Sequence, residues 1–321
     1  MEILKNIKAY KKIKKANNIL LVAHDRPDGD ALSSICAFIE FLESINKKYS
    51  AFCKDEPPYS FNFLPHLEKI KFDKQKLQFN NFDLIIALDC GNLSRTNLTQ
   101  EIKNKESRQY IIEFDHHPKE DDYSDIEIRD PKAASTTEVL YSFFKTNQIK
   151  INKNIATAIL TGILTDTGNL LYESTSDKTI KIASEMLLYG ASFPHVLEST
   201  GRNKSLAAMK AWGEAMNNLK INEKYNFAYS VLSYKDLSKN NIAEEELEGI
   251  AGFLSNLYGV KGLVLLREEK NGLIKGSLRA MHPKIDISRL AVKLGGGGHK
   301  KASGFVIKGN LVKTKNSWKI I

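Results

Sequence analysis

Apolar runs and helical spacings alternate through the first half of the chain, the pattern of a largely parallel sheet covered by helices. ILLVA at 19–23 reads as the first strand, ALSSICAFIEFLESI at 31–45 as a helix, and DLIIALD at 83–89 and YIIEFD at 110–115 as two more short buried strands. Helices are expected at about 136–147 and 152–167. In the second of these Ile155, Ala158, Ile159, Gly162 and Ile163 form one face, and Gly168 is the expected stop. A further helix from about 177 to 189 ends at Gly190, and GASFPHVLESTGRNKS then carries the breakers of a connector. At the N-terminus Ile3, Ile7 and Tyr10 recur at helical spacing among lysines, which describes a short amphipathic helix packed on a domain.

The pattern divides the chain into residues 1–190, a linker at 191–222 that includes a helix from about 204 to 219, and a smaller domain at 223–321. The last opens with the strand-like YNFAYSVLS at 225–233. It contains a hairpin, VKGLVLLREE and LIKGSLRAM around Lys270-Asn271-Gly272, with Asn-Gly favouring a tight type I′ turn. The expected fold is therefore two α/β domains, the first with a mainly parallel sheet and flanking helices, the second smaller with a mixed sheet.

Composition narrows the classes. A chain of 321 residues that is 42% apolar, with 19 Gly and 8 Pro, has core for two globular domains and is neither collagen-like nor disordered. Its apolar runs fall short of the roughly 20 residues that span a bilayer, and the basic N-terminus lacks the anatomy of a secretory signal. Three cysteines, Cys36, Cys53 and Cys90, form no CxxC, which fits a reducing cytoplasm. The net charge of +9 suits anionic partners such as nucleotides or RNA, although the lysines are spread out as surface composition would spread them.

The acidic residues are placed more informatively. His24, Asp28 and Asp30 lie in HDRPDGDAL, just after the first strand, where open α/β sheets present ligand-binding residues. Asp89 closes the second strand in ALDCGNLSRT, and Asp115-His116-His117 closes the third in EFDHHP, so three strands deliver acids and imidazoles to one sheet edge. Asp166 continues the apolar face of the 152–167 helix, where a carboxylate is costly unless paired or metal-bound. Such an acidic pocket, with repulsion of about 4 kcal/mol per close pair at an effective dielectric near 20, calls for cations. Mixed Asp and His donors without thiolates favour borderline divalent metals such as manganese, and so many ligands suit two ions that orient water for attack on phosphorus.

In the second domain GGGGHKKASGF at 295–305 offers Gly296, Gly297 and Gly298 for close backbone approach to an anion, beside His299, Lys300 and Lys301. It lacks the GxxxxGK[ST] spacing of a Walker loop. Arg279 in GSLRA offers a bidentate partner for phosphate.

Together these residues resemble the DHH phosphoesterase superfamily, whose motifs appear in order as HDRPDGDAL, ALDCGNLSR, FDHHP and GILTDTGN. GSLRA and GGGGHKKASGF look like its DHH-associated domain of the first type. Within the superfamily, the size and domain pair resemble the stand-alone nanoRNase and pAp-phosphatase group, which also includes cyclic di-AMP phosphodiesterases. Ser33, Ala280 and Asn169 depart from the commoner residues, and none is a presumed ligand.

The resemblance implies one metal, expected to be manganese, on His24, Asp28 and Asp89, and a second on Asp30, Asp89, His116 and Asp166, with Asp89 bridging. It implies that His117 assists the leaving oxygen, that Asp115 orients the histidines, and that Arg279, His299 and the glycine loop hold the substrate's terminal phosphate or nucleotide across an active-site cleft between the two domains. The expected protein is a cytoplasmic manganese-dependent phosphodiesterase cutting short RNA and linear pApA to 5′-mononucleotides, with cyclic di-AMP and the 3′-phosphate of pAp as further substrates. No membrane association is expected, and a homodimer stays open. The competing readings are a RecJ-like single-strand exonuclease and a catalytically silent nucleotide-binding regulator.

Overall fold

Five consecutive apolar residues, fully buried, make the first strand, β1 (Ile19–Ala23), of a computed structural model that describes residues 2–201, 204–238, 242, 244–269, 272–314 and 318–321. The chain divides into two compact units with the break at 202/203. In the first, β1 is joined by β2 (Tyr49–Phe52), β3 (Ile70–Lys71), β4 (Leu84–Leu88), β5 (Tyr110–Asp115) and β6 (Ile126–Arg129) in the order β3-β2-β1-β4-β5-β6. All five pairings are parallel. Parallel strands buried on both faces read as near-continuous apolar runs, and this is why β1, β4 and β5, the last interrupted by the buried Glu113, stand out in the sequence. The shorter β2, β3 and β6 do not.

Among the described residues this unit also has seven α-helices: α1 (Glu2–Lys15), α2 (Gly29–Ser44), α3 (Thr99–Lys103), α4 (Thr136–Thr146), α5 (Lys153–Asp166), α6 (Asp177–Leu188) and α7 (Phe193–Gly201). Phe38 and Phe41 of α2, Phe114 of β5 and Phe143 and Phe144 of α4 pack with ring centroids 5.0–6.3 Å apart, the dense centre of the core. Helix α5 crosses α2 closely because Gly162 has no side chain: a Cβ there would lie 2.4 Å from Asp30 Oδ1 and 2.4 Å from Thr137 Oγ1. Gly168, at φ +55, follows the end of α5 as expected.

Two expectations shift. Helix α1 forms, but it buries Asn6, Ala9 and Ile13 with Tyr10, leaving Ile3 64% exposed; the small Ala9 rather than the large Ile3 sets the side that can approach the body. The stretch read as a connector contains α7, because Pro194 falls in its first turn, where the missing N–H is not needed.

The second unit holds α8 (Leu206–Asn217), β7 (Lys220–Asn222), β8 (Phe227–Leu232), α9 (Tyr234–Ser238), α10 (Ile250–Leu254), β9 (Gly262–Glu269), β10 (Leu273–Ala280), α11 (Ser288–Lys293), β11 (Gly297–Gly298), β12 (Ala302–Lys308), β13 (Leu311–Lys313) and β14 (Trp318–Ile320). Its sheet, β11-β12-β10-β9-β8-β7, is mixed, with β8 and β9 parallel and the other pairs antiparallel. Helix α8 belongs to this core, with Ala211 and Ala215 buried against β8 and α10. The hairpin of β9 and β10 forms, with Leu273 opposite Glu269 and Gly272 at φ +66; Lys270 and Asn271 of its expected turn lie outside the described residues. No helix among the described residues is long and apolar enough to cross a membrane.

Candidate metal centre

The carboxyl ends of β1, β4 and β5, adjacent in the sheet, bring His24, Asp89 and Asp115-His116-His117 to one edge. Helices α2 and α5 add Asp28, Asp30 and Asp166 there. Asp28 caps α2: its Oδ1 accepts the amides of Asp30 and Ala31, each at 3.1 Å, which turns Oδ2 toward His24 Nε2 at 3.7 Å. His24 Nε2 is also 3.7 Å from Asp89 Oδ2. On the other oxygen of Asp89 stand His116 Nε2 at 3.7 Å and His117 Nδ1 at 3.5 Å. His116 Nε2 lies 3.1 Å from Asp166 Oδ2, and Asp30, His116 and Asp166 make a third group of donors within ligand reach. Asp89 thus turns one oxygen to His24 and Asp28 and the other to the His116 side.

Asp89 follows β4 in the left-handed region, at φ +59, a conformation Asp tolerates better than most residues and which is concentrated at functional sites. The backbone turn throws its carboxylate off the line of the strand and into the cluster.

Thr136 holds two of the acids at once. Its amide donates to Asp30 Oδ2 at 2.5 Å and its hydroxyl to Asp89 Oδ1 at 2.7 Å, while the Thr137 amide reaches Asp30 Oδ1 at 3.1 Å. These amides are the first turn of α4, so a helix N-terminus faces Asp30. Neither threonine stands out as a site residue in the sequence. The signal is Ser135-Thr-Thr-Glu138 before an apolar run, an N-terminal capping pattern, and Ser135 Oγ does accept the Glu138 amide at 3.2 Å.

Even so, the carboxyls are crowded. Burial, followed by the charge of Asp166, pushes Asp30 up to about 7. Burial and then Asp30 and Asp28 raise Asp89 well above the carboxylate range. Burial opposes charge on His116, but Asp166 and then Asp89 and Asp30 outweigh it and lift the imidazole well above its ordinary value. Protons are therefore standing where cations would fit.

His24 gives the sharper test of metal fit. Its Nδ1 donates to the Asp25 carbonyl at 2.7 Å, which makes Nε2 the ring nitrogen available as a metal ligand. That nitrogen is buried, has no hydrogen-bond partner, and points between Asp28 and Asp89. An unsatisfied imidazole nitrogen among carboxylates, with no thiolate nearby in the donor groups, suits a divalent cation.

Asp115 has a different job. Its Oδ2 accepts the Gly91 amide at 2.6 Å, and its Oδ1 accepts the His117 amide at 2.8 Å and meets His117 Nδ1 at 2.9 Å. Burial alone would raise this acid, but His117 and Arg129 pull it down to about 2. Asp115 is thus an orienting carboxylate for His117.

In the second unit Arg279 pairs in register with Ala302, and Gly297 and Gly298 pair with Gly304 and Ser303, so the arginine and the glycine-histidine segment share one end of the β11-β12-β10 sheet. The amides of Gly295, Gly296 and His299 already donate to Val292, Ala291 and Ala302 carbonyls. A Cβ at Gly296 would lie 2.1 Å from the Gly304 carbonyl, so this glycine answers first to close strand packing. Arg279 Nη1 donates to the Leu278 carbonyl at 2.9 Å, and His299 and Lys300 follow β11 at the same end of the sheet.

A family model described as DHH family, N-terminal domain, matches residues 18–163, and one for the DHHA1 domain matches residues 224–316. The bifunctional oligoribonuclease and PAP phosphatase NrnA of Bacillus subtilis is 31% identical over 307 residues, 94% of this chain and 91% of that protein. The protein of the same name from Thermus thermophilus is 27% identical over 291 residues, 91% and 84% of the two chains. Among solved structures, an exopolyphosphatase-related protein from Bacteroides fragilis has a TM-score of 0.86 at 27% identity, covering 94% of this chain and 90% of that one.

Proposed function

Because the chain belongs to the DHH family and is a phosphoric ester hydrolase, we propose that it cuts short RNA and linear dinucleotides such as pApA to 5′-mononucleotides and removes the 3′-phosphate of pAp. Both reactions break the same bond. In each, water adds to phosphorus, the P–O3′ bond breaks, and the ribose 3′-oxygen leaves and takes up a proton, so one site serves both.

The observation that supports this reading most is the arrangement about Asp89, with His24 and Asp28 on one oxygen and His116, next to Asp166 and Asp30, on the other. We assign the first group to one divalent ion and Asp30, Asp89, His116 and Asp166 to a second, with Asp89 shared. When bound, such ions, manganese foremost, activate water and screen the phosphoryl oxygens. His117, with Nδ1 held by Asp115, supplies the proton to the leaving 3′-oxygen. Arg279 and His299 of the second unit, beside Gly297 and Gly298, hold the substrate's phosphate.

The test is the initial rate on pApA, pAp and cyclic di-AMP with manganese. Turnover of both linear substrates is expected, with a loss of at least about 100-fold in Asp89→Asn, which keeps the left-handed backbone accessible. No turnover of either linear substrate by metal-loaded protein, or a near-normal rate in the variant, overturns the reading. Cyclic di-AMP carries no terminal phosphate, so its turnover decides whether the clamp requires one.

A further inference from the structure

Arg129 ends β6, directly opposite Asp115 in the parallel register, and its side chain is 5% exposed. Nη1 donates to the His117 carbonyl at 2.6 Å and lies 3.6 Å from Asp115 Oδ1; Nη2 pairs with the buried Glu113, and Nε donates to Glu127 at 3.1 Å. The consequence falls on one residue. His117 has its amide and its ring Nδ1 held by Asp115 and its carbonyl held by Arg129. A buried arginine is costly to place, and it spends its planar fork here on the backbone of a loop that belongs to the site.

We propose that Arg129 is a positioning residue for His117: it clamps the Asp115-His116-His117 turn from below, so that the imidazole is held for proton transfer to the leaving oxygen. This rests on the role given above to His117. Metal donors are not touched by Arg129, so the assignment separates a rate effect from a metal-binding effect. It also separates fork geometry from charge. A lysine retains the charge but cannot bridge Glu113 and the His117 carbonyl at once.

The experiment uses the full chain with Arg129→Lys, Arg129→Met and the double variant Arg129→Met with Glu113→Gln. The double variant removes the carboxylate that the single change would strand in the core, so it stays folded if Arg129→Met does not. Expected for the double variant are manganese binding by calorimetry as in the wild type, KM for pApA changed less than about 3-fold, and kcat lowered by about 10- to 100-fold. The His117 ring 15N resonances of the metal-free protein should move. Arg129→Lys should recover the melting temperature but only part of kcat. An unchanged kcat in the folded double variant, or a loss of kcat that only tracks lost manganese, overturns the proposal. If the wild type turns over no phosphoester, the function above fails by itself, and unmoved His117 ring signals then overturn the role of Arg129 independently.

Discussion

The Thr136 hydroxyl donates to Asp89 Oδ1 at 2.7 Å, and so one side chain of the α4 N-terminus fixes the acid that both donor groups share. Thr136→Val keeps the shape and removes the donor. Manganese affinity should fall by about 10- to 100-fold, while Thr136→Ser keeps it within about 3-fold. Calorimetric titration reads the difference, and equal affinity in Val and Ser variants would show that Asp89 is oriented by its backbone alone.

Gly162→Ala should destabilise the metal-free chain by about 1–3 kcal/mol in denaturant unfolding, although Ala is the better helix former by about 1 kcal/mol. The reason is that neither neighbour can give way. Asp30 Oδ1 and the Thr137 side chain, each 2.4 Å from the new methyl, are locked by the contacts between Asp30 and the α4 amides. A more stable variant would mean that α5 slides freely over α2.

Metal binding should strengthen as pH rises toward 7. Asp30 titrates at about 7 in the folded chain, raised first by burial and then by Asp166, against 3.8 ordinarily. Its contribution to metal-free stability is present below pH 3.8 and lost as pH rises through about 7, whereas a cation must displace the proton it holds. The rise in melting temperature on adding manganese should therefore grow from about pH 5.5 to about pH 7.5. A pH-independent rise would show that Asp30 stays protonated or is no ligand.

Arg279→Ala should raise KM for pApA by about 10-fold or more with a smaller effect on kcat, as expected for loss of a charged hydrogen bond to a phosphate that does not react. Steady-state kinetics at saturating manganese measure both, and an unchanged KM would remove Arg279 from the clamp.

Much of the candidate site was legible because parallel strands write it plainly. β1 and β4 are unbroken apolar runs followed at once by His24 and Asp89, and β5, interrupted only by Glu113, closes on Asp115, so each run leads to a polar residue at the edge it reaches. What escaped is what depends on partners far along the chain. Thr136 reads as an ordinary helix start until Asp30 and Asp89 stand beside it, and Arg129 reads as the end of IEIR, four residues whose alternation is too short to mark β6. Pro194 looked like a breaker because composition does not say which helical position a proline will take. The glycines at 295–298 looked like an anion cradle, whereas Gly296 is required by a carbonyl two strands of sequence away.

The strands that deliver the donors, β1, β4 and β5, sit inside a six-strand ladder with β2 and β3 outside on one flank and β6 on the other. Fraying of a sheet begins at its margins, so the amide protons of Ala87 and Phe114, on its inner strands, should be among the last to exchange. A frame of this kind does not depend on what its edge holds: stripping divalent metal with a chelator should leave the sheet folded, and adding metal back should need no refolding.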